Sequence, residues 1–188
     1  MTAPSYPVRL EGERVALRDF TMDDVDDALK IVGDDRVTYW LSFDSRDRDQ
    51  TEQMLAGAIE RAQLSPRTEY YLAITPLTSN NVIGFCRIGL AGVKAGKLGY
   101  ALAPAEWSKG YASDAARRMI RFTFDDLGLH RLSAAVGPEN ETSLRMVEQL
   151  GFTREGVLRD HVFTNGAWRN SVLLSLLSTD VASQPPQK

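Results

Sequence analysis

The chain has 188 residues, of which 43% are hydrophobic and 25% are charged, and these fractions exclude a wholly disordered chain and predict one globular domain. The formal net charge of −3 excludes the broad positive surface that a general nucleic-acid-binding protein carries. One cysteine and two histidines exclude an internal disulfide framework and a histidine-rich metal site.

The two ends of the chain are predicted to be flexible tails, so the domain is expected to span residues 8–181. Residues 1–7 lack the charged-then-apolar pattern of a signal peptide, and residues 182–188 are polar and contain two prolines. No apolar stretch approaches the length of a membrane span. We therefore expect a cytoplasmic protein that binds no membrane.

The first half of the chain predicts a strand, two helices and an antiparallel meander. Residues 14–18 alternate as a strand does, Thr21 can cap a helix that ends at Gly33, and apolar spacing predicts a second helix over residues 49–63. Hairpin-like separators divide three β-rich segments, which cover residues 70–75, 82–90 and 97–102. Cys86 is predicted to be a small core residue, because no histidine lies near it in the sequence.

The second half of the chain predicts two helices, three strands and a closing hairpin. These elements are a helix over residues 109–127, a strand over 131–136, a helix over 141–150 that Gly151 ends, and strands over 154–164 and 168–177. Asn165-Gly166 between the last two strands is a strong hairpin pattern. The element order predicts an α/β fold with a mixed sheet.

The segment most informative about function runs from the strand that ends near Pro104 to the helix that begins near Gly110. Small residues cluster at the first turn of that helix, namely Ser108, Gly110, Ala112 and Ser113. Free backbone N–H groups at a helix N-terminus attract anions, and Lys109 can add a charge. The alternative is that Gly110 only relaxes a tight turn, and the spacing alone does not decide between the two.

Pro104 carries a second implication, because a proline donates no hydrogen bond to a sheet. We expect the pairing between strands 97–102 and 131–136 to end or splay near it. The resulting slot could pair with an extended ligand that carries amide groups. A phosphate cradle beside such a slot describes a site for coenzyme A.

Four segments extend this pattern, in an order and at a spacing that match a known family. They are Gly99-Tyr100, residues 107–115, residues 138–143 and residues 150–156. The chain thereby resembles the GNAT superfamily of N-acetyltransferases, and within it the ribosomal-protein-alanine (Rim-type) branch. Gly110 and Ala112 match the small positions of the superfamily's pyrophosphate motif, whereas Trp107 replaces its first polar residue, as is common in that branch. The implied fold is a mixed, mostly antiparallel sheet that is flanked by helices and splayed between its fourth and fifth strands.

The resemblance implies acetyl-CoA as the acetyl donor and no metal. Backbone groups on the fourth strand would pair with the pantetheine arm, amides of the helix N-terminus would hold the pyrophosphate, and Asn140 would reach the arm while also capping a helix. The residues implied to bind acetyl-CoA are Tyr100, Ala101, Leu102, Lys109, Gly110, Tyr111, Ala112, Ser113, Asn140 and Arg145.

The implied chemistry needs a neutral amine, a donor to the oxyanion and a proton for the leaving thiolate, and Ser143 is predicted to supply that proton. Many relatives carry a glutamate just before the Gly-Tyr pair, but Leu98 stands there in this chain. The base is therefore left open between Asp160, His161 and a water relay. His130, before a strand, is predicted to be structural.

Trp40 and Phe43 lie between the two early helices. In relatives this loop forms one wall of the acceptor site, which implies that both residues contact the acceptor. The alternative is that they belong to the core, as lone aromatic residues do equally often. The expected activity is acetyl transfer to a primary amine, either a protein N-terminus or a small molecule, by direct attack in a ternary complex. The alternative is a non-catalytic acyl-CoA-binding or regulatory domain, which the missing glutamate favours. A homodimer is left open, and no nucleic-acid partner is expected.

Overall fold

A computed structural model describes residues 5–182, and the parts of the predicted tails at residues 1–4 and 183–188 lie outside it. The strands are β1 (Arg9–Glu11), β2 (Val15–Asp19), β3 (Glu69–Pro76), β4 (Gly84–Leu90), β5 (Ala95–Leu102), β6 (Arg131–Val136), β7 (Thr153–Thr164) and β8 (Ala167–Leu177). The α-helices are α1 (Val25–Val32), α2 (Asp35–Thr38), α3 (Arg48–Ala62), α4 (Tyr111–Arg121), α5 (Glu141–Gln149) and α6 (Ser178–Ala182).

All eight strands join one sheet in the order β1-β2-β3-β4-β5-β6-β8-β7. Strands β5 and β6 pair in parallel, and every other neighbouring pair is antiparallel. The long connection from β5 to β6 contains α4, as a parallel pair requires. The predicted mixed, mostly antiparallel α/β sheet is confirmed.

The parallel ladder between β5 and β6 covers four of the eight residues of β5 and four of the six residues of β6. It begins at Ala95 opposite Arg131 and ends at Leu98 opposite Ala134. Beyond that point β5 stays with β4 as far as Leu102, while β6 stays with β8 as far as Val136. The predicted splay is therefore present; the strands involved are the fifth and sixth because β1 adds a strand that the sequence did not predict. The ladder ends well before Pro104, so that proline does not cause the divergence.

Apolar clusters cover both faces of the sheet, because successive residues of a strand point to opposite sides. On one face Leu98 packs in a cluster with Met119 of α4 and Val147 of α5. On the other face Ala101 packs in a cluster with residues of α1 and α3, including Leu55. Cys86 is fully buried in the first cluster, and burial raises the pKa of its thiol to about 12, which confirms that it is a core residue.

Helix α4 differs from its prediction at both ends. It begins at Tyr111 rather than at residue 109, because Ser108 and Gly110 have φ angles of 61° and 80°, outside the helical region. It ends at Arg121 and continues as a wider turn of π-helix over Phe122–Asp126. The predicted Asn165-Gly166 hairpin is confirmed, and φ angles of 52° and 72° are those of a type I′ turn.

A buried ion pair fastens the first strands to the loop before β3. The Asp19 carboxylate accepts from Arg67 Nη2 at 2.6 Å and from the backbone N–H of Val8 at 2.7 Å. Arg67 Nε also donates to the carbonyl oxygen of Glu69 at 2.7 Å. Both charged side chains are about 5% exposed. Each charge has lost most of its hydration, so each depends on the other for a compensating ion pair.

We expect Asp19→Ala to destabilise the protein by about 3–5 kcal/mol, because it leaves the Arg67 guanidinium buried without its partner. Glu11→Ala is the matched control, since it breaks the exposed Arg9–Glu11 pair and should cost less than about 1 kcal/mol. Urea denaturation of both variants measures the difference. Equal losses of stability would show that the buried pair does not anchor these strands.

Candidate active site

Backbone groups on β5 face two different neighbours along its length. Hydrogen bonds at the two ends of its ladder with β4 join Ala95 to Ala91 and Ala103 to Ile83, each at 2.9 Å. Because backbone groups alternate along a strand, Ala101 also faces β4. The groups of Tyr100 and Leu102 therefore face the gap that opens beyond Leu98.

Trp107 occupies one of the groups that face the gap. Its indole Nε1–H donates to the carbonyl oxygen of Leu102 at 2.9 Å and so ties the loop after β5 to the end of the strand. The groups that remain for a ligand are the N–H and C=O of Tyr100 and the N–H of Leu102. The resemblance also implies Ala101 as a member of this set, but its backbone groups face β4.

The loop before α4 forms an open cradle of backbone N–H groups. Asp114 N–H makes the first helical bond, to the Gly110 carbonyl oxygen at 3.1 Å, so the amides of Tyr111, Ala112 and Ser113 have no acceptor within the helix. Gly110 has a φ angle of 80°, and the one atom that an added Cβ would meet within 4 Å is Arg14 Nη1, at 3.9 Å. The Ser113 hydroxyl donates to the Gly110 carbonyl at 2.9 Å.

The charge of Lys109 is partly balanced within the same loop, because its Nζ lies 3.1 Å from Glu106 Oε2. A second cation, Arg14, comes from the turn between β1 and β2 and donates from Nη1 to the Lys109 carbonyl oxygen at 3.3 Å. Arg14, which is distant in the sequence, therefore places a positive charge beside the cradle.

Asp114 holds that turn in place, and sequence reasoning missed both residues. Its carboxylate is 3% exposed and accepts from the backbone N–H groups of Glu13, Arg14 and Val15 at 2.8 to 3.1 Å. In the sequence Asp114 is an ordinary acidic residue in a first helical turn, where the dipole already favours it. No local pattern indicates that its partners lie about a hundred residues earlier.

Ser143 and Tyr100 come together across the gap. Asn140 caps α5, and its side-chain oxygen accepts from the Ser143 N–H at 3.1 Å, as predicted for a cap. The Ser143 hydroxyl faces the buried hydroxyl of Tyr100, although the Tyr100 hydroxyl has no hydrogen bond of ordinary geometry within residues 5–182. Burial raises the pKa of Tyr100 to about 12, and the Ser143 hydroxyl opposes that rise.

The other predicted binding residue of α5, Arg145, lies on an exposed face of the helix. It pairs with Glu141 at 3.4 Å, and both side chains are more than half exposed.

Trp40 and Phe43 have different surroundings. The Trp40 ring lies over Gly137, directly after β6, with its Cε3 atom 3.8 Å from where a Cβ of that glycine would be. Arg169 of β8 donates to the carbonyl oxygens of Tyr39 and Leu41 and so ties this segment to the sheet. Phe43 packs against the second apolar cluster and lines a cavity of about 460 Å³.

The two candidate bases lie on the hairpin of β7 and β8. Asp160 and His161 line a cavity of about 890 Å³ at the irregularity between Leu158 and Val162. Asp160 N–H donates to Asn170 Oδ1 at 2.9 Å, and His161 Nδ1 lies 3.0 Å from Ser171 Oγ. Within residues 5–182 neither side chain is hydrogen-bonded to Ser143, so the base stays open.

Three further features bear on the predictions. His130 Nδ1 lies 3.0 Å from the hydroxyl of Ser178 at the start of α6, as a structural histidine would. Over residues 5–182 no helix is both long and apolar enough to cross a bilayer. In the same range no three His, Cys, Asp or Glu side chains are grouped as metal ligands.

Comparisons with known proteins agree on one family. A model of the acetyltransferase (GNAT) domain matches residues 14–153. The uncharacterized N-acetyltransferase p20 of Bacillus licheniformis is 31% identical over 176 residues, which cover 92% of this chain and 98% of that protein. The ribosomal protein uS5-alanine N-acetyltransferase of Escherichia coli is 28% identical over 114 residues, or 59% of each chain. The structure of Mycobacterium smegmatis RimJ in complex with CoA-disulfide has a TM-score of 0.85 at 23% identity, and the match covers 100% of this chain and 93% of that one.

We expect Asp114→Ala to destabilise the protein by about 3 kcal/mol, because three backbone N–H groups lose a charged acceptor at once. Asp125→Ala removes an exposed carboxylate from the turn after the same helix and should change stability by less than about 0.5 kcal/mol. Thermal and urea unfolding measure both. A loss no larger than that of the control would show that the carboxylate does not clamp the β1–β2 turn.

Proposed function

The chain belongs to the acetyltransferase (GNAT) family, in its Rim-type branch, and is an N-acetyltransferase; from this premise we propose that it transfers acetyl from acetyl-CoA to a primary amine in a ternary complex. We place this reaction in the cytoplasm. Acetyl-CoA supplies the acetyl group as a thioester, and coenzyme A leaves as a thiol.

The observation that carries the proposal is the open cradle above Gly110. Three backbone N–H groups lack helical acceptors there, and Arg14 Nη1, a cation at the edge of the cradle, is the one described atom within 4 Å of an added Cβ at Gly110. These are the groups that bind a pyrophosphate. The amides of Lys109, Gly110, Tyr111, Ala112 and Ser113 would hold it, as the family resemblance implies.

The gap between β5 and β6 fits the amide-bearing arm of the same molecule. Tyr100 presents both an N–H and a C=O to the gap, and Leu102 presents an N–H, so an extended arm would pair there as an added strand does. Asn140 would act on the arm and also orients Ser143 through the cap. Arg145 would reach the nucleotide end, and its exposed pair with Glu141 leaves it free to exchange partners.

Ser143 holds the proton that the leaving sulfur needs. Its hydroxyl is half-buried at the gap, and its backbone is fixed by Asn140. A hydroxyl so placed can donate its proton as negative charge develops on the sulfur, without becoming a nucleophile itself.

The acceptor would enter beside Trp40 and Phe43, which lie between α2 and α3. Two acceptor classes fit, a protein N-terminus and a small-molecule amine; the similarity to the uS5-alanine enzyme supports the first. Release of coenzyme A thiol, measured with peptides of varied N-terminal residue and with small amines, tests the function. Coenzyme A binding without release for any amine would instead support the non-catalytic alternative that the missing glutamate favours.

We expect acetyl-CoA at about 100 times its Kd to stabilise the protein by about 2.7 kcal/mol, which raises Tm by about 5–10 °C. Gly110→Asp should abolish this rise, because it places a carboxylate in the cradle, where it would also pair with Arg14.

The matched control is Gly92→Asp, which adds the same charge at a glycine of similar φ with open space around it. It should keep the full ligand-induced rise in Tm. If Gly110→Asp keeps the rise as well, Gly110 serves only as a turn residue.

We expect Ser143→Ala to lower turnover by up to about 10²-fold, at the low end of general-acid effects because solvent partly replaces the hydroxyl. The affinity for acetyl-CoA should stay nearly unchanged, and so should stability, since alanine suits a helix. Calorimetric titration and single-turnover kinetics separate the two quantities. Equal losses of affinity and turnover would make Ser143 a binding residue, and unchanged single-turnover rates would remove it from the mechanism.

A further inference from the structure

Two tyrosine hydroxyls in the described part of the chain are buried without a hydrogen-bond partner, those of Tyr70 and Tyr100. Such groups are rare, because a buried hydroxyl without a partner has lost its hydrogen bonds to water and gained none within the protein. The two have different surroundings, and the difference indicates what one of them does.

Tyr70 lies in the first apolar cluster of the core. It is fully buried, its ring packs edge-on against Phe122 at 5.0 Å, and the Arg67 guanidinium lies 4.4 Å above the ring. The Tyr70 hydroxyl is therefore buried because the ring that carries it packs in the core.

Tyr100 is placed where β5 has left β6. It is the second residue beyond Leu98, the last residue of the parallel ladder, and its ring packs on the same face of the sheet as α4 and α5. Its hydroxyl faces that of Ser143 on the first turn of α5. The buried hydroxyl of Tyr100 thus lies beside the hydroxyl that the proposed function uses.

We infer that Tyr100 is a positioning residue for Ser143: when coenzyme A occupies the gap, the Tyr100 O–H donates to Ser143 Oγ and directs the serine proton at the sulfur. The inference rests on the proposed function. It assigns a role to the side chain of Tyr100, in addition to the backbone groups that face the gap.

The hydrogen bonds of Ser143 favour donation from Tyr100 to its Oγ atom. The Ser143 N–H is held by Asn140, so the rotation of the hydroxyl is the freedom that remains. A serine oxygen can accept while its own proton is donated, and a donor behind it strengthens that donation. Burial keeps Tyr100 protonated at every physiological pH, so it remains a donor.

The protons balance without a further reactant. As the carbon–sulfur bond breaks, its electron pair stays on sulfur, which takes the proton of Ser143. The Tyr100 hydrogen bond stabilises the charge on the serine oxygen, and the proton that the attacking amine loses restores the serine hydroxyl. Tyr100 keeps its own proton throughout.

The test compares Tyr100→Phe with Tyr70→Phe, since each variant removes one buried, unpartnered hydroxyl and keeps the ring. The first readout is the affinity for coenzyme A between pH 6.5 and pH 9 by calorimetry, with desulfo-coenzyme A, which lacks the thiol, as the probe control. In the wild type, donation to a bound thiolate should tighten coenzyme A binding as pH rises, whereas desulfo-coenzyme A should show no such change.

We expect Tyr100→Phe to bind coenzyme A about three- to tenfold more weakly than the wild type at high pH, which is the value of one hydrogen bond. Its affinity for desulfo-coenzyme A should be unchanged. Tyr70→Phe should match the wild type with both probes. The second readout is turnover. Tyr100→Phe should lower turnover by a similar factor when Ser143 is present. In the Ser143→Ala background the same substitution should lower turnover no further.

Three results would overturn the inference. Tyr100→Phe could behave as Tyr70→Phe does, it could lose affinity for both probes equally, or its effect on turnover could persist in full without Ser143. Should Tyr100→Phe fold poorly, the pH dependence in Ser143→Ala decides, because the inference requires that this variant also lose the tightening. Absence of coenzyme A binding by the wild type would overturn the proposed function and this inference with it.

Discussion

The structure depends on one constraint, that the parallel pairing of β5 and β6 ends at Leu98 and Ala134 while both strands continue. Each strand keeps its other neighbour, β4 or β8, so the sheet stays intact while its middle opens. A continuous ladder would satisfy every backbone group of β5 internally and leave none for a ligand. The divergence leaves the backbone of Tyr100 without a partner strand on that side, and Ser143 in the first turn of α5 lies beside the Tyr100 side chain.

Interactions around the opening hold its walls without filling it. Trp107 fastens the loop after β5 to Leu102, Asp114 fastens the β1–β2 turn to α4, and Asn140 fixes the start of α5. Each is a side chain that satisfies backbone N–H or C=O groups, and such bonds are costly to lose when buried. Side chains that are held in this way keep the backbone around the opening in a fixed arrangement, which is what a preorganised site requires.

The electrostatics of the site also differ from those of the whole chain. The formal net charge is −3, yet the cradle before α4 has Arg14 at its edge and free amides at the positive end of a helix dipole. A net negative charge therefore excludes a general affinity for polyanions without excluding a local anion site. Lys109, the cation that the sequence suggested, is shared with Glu106.

The sequence by itself determined the features that depend on neighbouring residues: the type and order of most elements, the Asn165-Gly166 hairpin, the Asn140 cap and the glycine turn at Gly110. Very short elements such as β1 and α2 escaped prediction because three or four residues carry no measurable periodicity. The tertiary structure alone decided that Asp114 would clamp residues 13–15, that Arg14 would stand beside the cradle, and that the Tyr100 hydroxyl would face Ser143. These contacts join residues far apart along the chain, and no spacing or propensity encodes them before the sheet has brought them together.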